Sequence, residues 1–134
     1  MKKVVVNVDW LPNNYSAAPA NEDIACVVAA RTLPKLQEEM EVSLREHIEW
    51  MRKDGDAIPE EFEGEWEIEW QFSARAQLKY AGNYITRKAL ARETGIAEQQ
   101  LSHYANGQRH PRPAMQTRIV SGIRSIAERL SIIL

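Results

Sequence analysis

Glu98, Gln99, Gln100, Ser102 and His103 stand in one short run, and each carries a side chain suited to the edge of a base pair. A glutamine amide pairs bidentately with adenine, a glutamate carboxylate accepts from the cytosine amino group, and serine or histidine can donate or accept. Arg87 and Lys88 precede the run, and Gln108, Arg109 and Arg112 follow it. Their natural targets are phosphate oxygens, contacts that set register without reading sequence. That chemistry needs Glu98, Gln99, Ser102 and His103 on the open side of one helix, with Gln100 and Asn106 at its flanks. A merely solvated helix face has the same composition, so the surrounding turn decides between the two.

The turn favours the reader. Thr86 is a good N-cap for a first helix, and Gly95 ends it where the chain needs a residue tolerant of positive φ. Ala91, four residues earlier, is small enough to let a second helix cross closely. Leu90, Ile96, Leu101 and Tyr104 supply an apolar face that the two helices share. The second helix begins near Ala97 and stops at Asn106-Gly107, with Pro111 and Pro113 beyond forbidding its extension. Thr86 to Pro113 therefore reads as a complete helix-turn-helix laid into a major groove. In R-K-A-L-A-R-E-T-G-I and L-S-H-Y-A-N-G it resembles the DNA-binding domains of the lambda-repressor-like (XRE) family. Ala97 stands where that family usually has Ser or Thr, so the second helix lacks a side-chain cap, a loss of about 1 kcal/mol.

The rest of the chain must carry this reader. Its 134 residues suffice for one domain or two small ones, and a 44% hydrophobic content with four Trp can build ordinary cores. The single cysteine, Cys26, excludes an internal disulfide and a thiolate metal site, which suits a reducing cytoplasm. No apolar run approaches the ~20 residues of a membrane span, and Val4 to Val6 is too short for a signal peptide core. The formal charge of −2 conceals a division. Residues 1–72 hold 7 Lys and Arg against 16 Asp and Glu, net −9; residues 73–134 hold 10 against 3, net +7. A basic half with a helix-turn-helix fits a polyanion, and an acidic half fits a basic protein or simple solubility.

In the acidic half, Val4, Val6, Val8 and Trp10 alternate with Val5, Asn7 and Asp9, the period of a strand. Pro12-Asn13-Asn14 turns the chain, Tyr15 to Ala18 returns as a second strand, and Ile24 to Arg31 makes a third. Thr32 caps a helix with Pro34 in its first turn and Leu33, Leu36, Met40, Leu44, Ile48 and Met51 at steps of three or four, ending at Asp54-Gly55. Residues 56–64 read as loop, and Trp66, Ile68, Trp70 and Phe72 alternate in a last strand. The fold class is α+β: a β-β-β-α-β domain at 1–72, then an all-α helix-turn-helix domain at 73–134. The order, with T-L before the long helix and D-G-D-A-I-P-E after it, resembles the HicB antitoxins. Ala18 to Asp23 replaces the apolar-proline-glycine stretch usual between their second and third strands. The resemblance implies a partial ribonuclease-H-like first domain that masks a HicA-type mRNA interferase, a toxin with a double-stranded-RNA-binding-domain-like fold.

A working ribonuclease-H site needs several carboxylates converging on divalent metals. Asp9 has no obvious inward partner, so catalysis and a metal site are both expected to be absent, and no phosphate loop or zinc spacing calls for a cofactor. Cys26 and His47 read as a buried structural thiol and a surface imidazole. Met115 to Leu130 continues as helix, with Ile119, Ile123, Ile126 and Leu130 along one side and Gly122 marking close helix approach. Ser131-Ile132-Ile133-Leu134 is too apolar for water, and packs either in the subunit's own core or in a dimer interface as a short strand. The expected function is a cytoplasmic antitoxin, a homodimer or higher even oligomer on double-stranded operator DNA. The alternative is a stand-alone repressor whose first domain oligomerises or binds a ligand; a residual nuclease ranks last.

Overall fold

The computed structural model describes residues 1–134, which fall into two compact units, Met1–Ser73 and Ala74–Leu134. The division lies one residue after the expected cut. Ser73 belongs with the sheet because its amide donates to the Val8 carbonyl at 2.9 Å and its hydroxyl to Asp9 Oδ1 at 2.6 Å. No helix is long and apolar enough to cross a membrane.

The first unit is a four-stranded sheet with one long helix, in the expected β-β-β-α-β order. β1 (Lys2–Leu11) and β2 (Asn14–Pro19) form an antiparallel hairpin, and β3 (Val28–Ala30) adds to β2, also antiparallel. α1 (Leu33–Lys53) then carries the chain across to β4 (Trp66–Phe72), which runs parallel to β1, giving the order β3-β2-β1-β4. The period-two alternation puts Val4, Val6 and Val8 on the buried side, where they meet Tyr15, Ala17 and the α1 stripe Leu36, Met40, Leu44 and Ile48 in one core. Thr32 Oγ1 accepts from the Lys35 amide, Pro34 sits in the first turn, and Gly55 at φ 75° follows the Asp54 C-cap. The Lys3 ammonium pairs with the Glu67 carboxylate across the β1–β4 ladder, and hydrogen bond and charge together hold that carboxyl below its usual pKa.

Two expectations in this unit need correction. The third strand is only Val28–Ala30: Ile24 and Cys26 are buried, but their amides are taken by local turns to Asn21 and Ile24 carbonyls, so the chain there cannot offer a ladder. Residues 56–64 are not plain loop either. Glu60–Phe62 form a 3-10 turn that drives Phe62 into the core, edge-on to Trp66 with ring centroids 5.2 Å apart. An isolated aromatic among glutamates has no periodicity to reveal it.

The second unit is all helical: α2 (Ala74–Ala81), α3 (Arg87–Thr94), α4 (Glu98–Ala105) and α5 (Pro113–Ser131). Leu78, Leu90, Ile96, Leu101, Tyr104 and Ile119 form its core. α2 lies outside the expected elements: Ala74 and Leu78 recur at helical spacing, but Gly82 and Asn83 follow after only two turns. Pro113 does not keep helix away. It opens α5 at the first helical position, where a missing N–H costs nothing. Residues Ser131 to Leu134 make no strand: Ser131 ends α5, the amides of Ile132, Ile133 and Leu134 bond three residues back in a last helical turn, and those three side chains stand in solvent. Packing of this segment into the subunit's own core is thereby excluded.

Candidate nucleic-acid interface

The reader is built from α3, α4 and the turn between them. Thr86 Oγ1 accepts from the Ala89 amide at 3.0 Å and so fixes the start of α3. α3 ends at Gly95, held at φ 72°, whose amide donates to the Ala91 carbonyl at 2.9 Å. Thr94 locks the turn twice: its hydroxyl donates to the Leu90 carbonyl at 2.8 Å and accepts from the Ile96 amide at 3.1 Å. Ile96 then plugs the core, and Ala97, extended at φ −59° and ψ 142°, leads into α4 with no side-chain cap.

Leu101 and Tyr104 anchor one side of α4, and that anchoring assigns the other side to solvent. At about 100° per residue, Glu98, Gln99, Ser102, His103 and Asn106 fill a sector of roughly 140°. Glu98, Gln99, Ser102 and Asn106 are exposed and His103 is half-buried. Glu98 lies in the first turn, where the helix dipole favours its charge. Gln100 points elsewhere. It is half-buried, and its amide donates to the Tyr104 hydroxyl at 2.8 Å.

The cationic residues separate in the same way. Lys88, Arg109 and Arg112 are exposed. Gln108 is exposed too, and the loop that carries it is pinned: its amide donates to Asn106 Oδ1 at 3.0 Å, and the Arg109 amide to the His103 carbonyl at 3.2 Å. Arg87, by contrast, is half-buried and donates from Nη1 to the Leu101 carbonyl at 3.1 Å, which ties α3 to the middle of α4; burial lowers its pKa from the usual value. One basic residue escaped notice in the sequence. Arg75 of α2 lies over Gly107, so close that a Cβ there would stand 2.7 Å from its Nη1. It sets a guanidinium against the Gly107 turn, and only recognition of α2 points to it. Arg118 of α5 also reaches the turn, donating to the Thr94 carbonyl at 2.8 Å.

Asp9 Oδ1 accepts from the Ser73 hydroxyl and, at 2.8 Å, from the Trp10 amide. No three His, Cys, Asp or Glu side chains come together. Cys26 is buried and desolvation raises its thiol pKa, the opposite of an activated nucleophile.

The geometry on α3 and α4 agrees with an independent comparison: residues 82–123 match the helix-turn-helix family model. The match starts just after α2 and runs into α5, so it covers the reader and the helix that braces it. A helix-turn-helix of this kind is the mark of a DNA-binding regulator of transcription. No curated protein matches the chain.

Proposed function

We propose that this chain is the antitoxin of a HicAB-type toxin-antitoxin pair, binding a basic mRNA interferase through its first unit and repressing its own operon through its second. The observation that carries the reading is the coupling of a helix-turn-helix in a unit of net +7 to a β-β-β-α-β unit of net −9. A regulator of DNA alone gains nothing from so acidic a neighbour, whereas a small basic toxin is drawn to it, and attraction of that kind speeds encounter. The first unit acts by binding and not by catalysis, in keeping with the engagement of Asp9 by Ser73.

The outer face of α1 supplies a surface for such a partner. Glu38, Val42, Glu46 and Trp50 follow at steps of four, offset by two residues, about 200°, from the buried stripe of Leu36, Met40, Leu44 and Ile48. Val42 is 54% and Trp50 70% exposed, and the Glu38 and Glu46 carboxylates have no cationic partner. An exposed tryptophan one turn beyond free carboxylates suits a partner that offers an apolar pocket rimmed with Lys or Arg.

Co-expression with the product of the adjacent small reading frame tests the reading. A product that is lethal alone, is rescued by this chain and co-purifies with it supports the antitoxin. Failure to co-purify leaves the stand-alone repressor, for which one observation speaks: a cleft of about 230 Å³ lined by Val4, Val5, Pro19, Ala20 and Phe62 with Lys3, Asn21 and Glu61 at its polar edge. That volume is below the roughly 300–1,000 Å³ of drug-sized pockets, so such a repressor would answer only to a small effector.

A further inference from the structure

β4 is a strand with a neighbour on one side only. It ends the order β3-β2-β1-β4, pairs with β1 alone, and no other element of its unit runs beside it. A parallel ladder turns the N–H and C=O of alternate residues toward the partner strand and those of the residues between them away. The Ser73 amide, donating to the Val8 carbonyl, assigns the odd-numbered residues to β1. The even-numbered residues therefore turn outward, and the Trp66 carbonyl agrees, since it accepts from Arg45 Nη2 of α1 at 3.3 Å. Ile68 and Trp70, farther along, each keep a free N–H and a free C=O on that edge.

The side chains divide the edge as well. Ile68 and Trp70, beside Val4 and Val6 in the ladder, are half-buried on the face that holds the core. Glu67 and Glu69 stand on the opposite face, where Lys3 already holds Glu67 and Glu69 is exposed with no cation on it. Soluble proteins ordinarily blunt an edge with Lys, Pro or a bulge. β4 has no Lys, no Pro and an unbroken register.

We propose that the outer edge of β4 is a site for strand addition, and that its occupant is an extended segment of a partner protein in which Lys or Arg alternates with apolar residues. The backbone groups of Ile68 and Trp70 supply the hydrogen bonds, and the alternating side chains supply the selection. On an added strand, the residues beside Glu67 and Glu69 share their face and gain from a positive charge, while those beside Ile68 and Trp70 extend the apolar face. Charge rules against a second copy of the chain. A two-fold normal to the sheet would set Glu67 and Glu69 against the same pair of the other copy, and like charges opposed across a ladder destabilise it. Two units of net −9 repel besides. The inference deepens the antitoxin reading, on which it rests for the identity of the partner but not for the chemistry of the edge.

Titration of the full chain with a peptide of about nine residues, Lys alternating with Val, tests the site, alongside forms N-methylated at every Lys or at every Val. Methylation removes amide donors and leaves the charge in place. One methylated form should lose roughly tenfold or more and the other keep its affinity, because only one alternate set of amides turns toward β4. Loss in the Val-methylated form reports antiparallel addition, and loss in the Lys-methylated form parallel addition. Hydrogen exchange gives a second readout: the Ile68 and Trp70 amides should exchange faster than those of Glu67 and Glu69 in the free chain, and slow when the peptide is bound. Glu69→Lys, at an exposed position, should weaken the peptide several-fold with unchanged melting. Equal affinity of all the peptides, equal loss in both methylated forms, no binding, or unchanged exchange would each overturn the proposal. Strand addition by the peptide with no toxin co-purified upholds the edge and removes the antitoxin reading; a toxin that co-purifies while the peptide fails overturns the edge alone.

Discussion

Arg87 and Lys88 are adjacent and alike in charge, yet the fold gives them different work. Arg87 spends one donor on the Leu101 carbonyl and is half-buried, while Lys88 stands free at the start of α3. Lys88→Ala is therefore the clean probe of phosphate contact: affinity should fall alike for every sequence, and the slope of log K against log salt should flatten by about 1. Arg87→Ala should do this and also lower the melting temperature, because a half-buried carbonyl loses its partner. Gln99→Ala belongs to a third kind. It should relax preference at one base pair, worth about 1–3 kcal/mol, with the salt slope intact. Binding titrations on an operator and its single-base variants at several salt concentrations separate the three. Uniform loss from both Lys88→Ala and Gln99→Ala would count against assigning phosphate to one and bases to the other.

At the scale of elements, the reader is a pair of short helices whose ends matter as much as their faces. Ala97 holds the extended conformation of an N-cap without the side chain for it. Ala97→Ser should stabilise the chain by roughly 0.5–1 kcal/mol, seen as a higher urea midpoint with an unchanged slope. A drop in midpoint would mean that the α4 amides are already satisfied. Gly122 makes the opposite prediction. A Cβ there would stand 2.3 Å from Thr94 Cγ2, and Thr94 is held by two hydrogen bonds that define the turn. Overpacking of this kind costs about 1–3 kcal/mol and outweighs the ~1 kcal/mol that alanine gains over glycine within a helix. Gly122→Ala should thus lower the urea midpoint and weaken DNA binding, and a stabilised variant would sink the argument. Elements like these were legible in sequence wherever one residue type has one reason to be present. Thr86, Gly95, Thr32 and the stripe Leu36, Met40, Leu44 and Ile48 stand in the structure as read. What escaped has no period long enough to show: Phe62 is buried by a single short turn, local turns take the Ile24 and Cys26 amides so that only Val28–Ala30 pairs with β2, and α2 is cut to two turns by Gly82. At the interface, Gln100 and Arg87 share the composition of a DNA-facing set, and only their partners, Tyr104 and the Leu101 carbonyl, show that each is engaged within the chain.

For the whole molecule, the distinctive fact is how little chain lies between opposite charges. β4 ends at Phe72 and α2 begins at Ala74, so a unit of net −9 is joined to one of net +7 through a single residue. The acidic unit is tethered to the reader, and the lower the salt the farther its field extends: the screening length is about 10 Å at 0.1 M and about 30 Å at 0.01 M. Random duplex DNA, bound through phosphates alone, is the simplest reporter of that field. The unit of residues 74–134, prepared alone, should therefore bind random duplex several-fold more tightly than the full chain near 50 mM salt. The difference should shrink as salt rises and nearly vanish at a few tenths molar, because screening removes the repulsion between the acidic unit and the phosphates. Discrimination between an operator and random sequence should then be nearly the same in the two proteins, since a field that repels phosphates weakens both kinds of binding alike. Fluorescence anisotropy of labelled random duplex, titrated with each protein at matched salt, measures the gap directly. Equal affinities at low salt would show that the acidic unit exerts no field at the reader, leaving its charge to act on a protein partner alone.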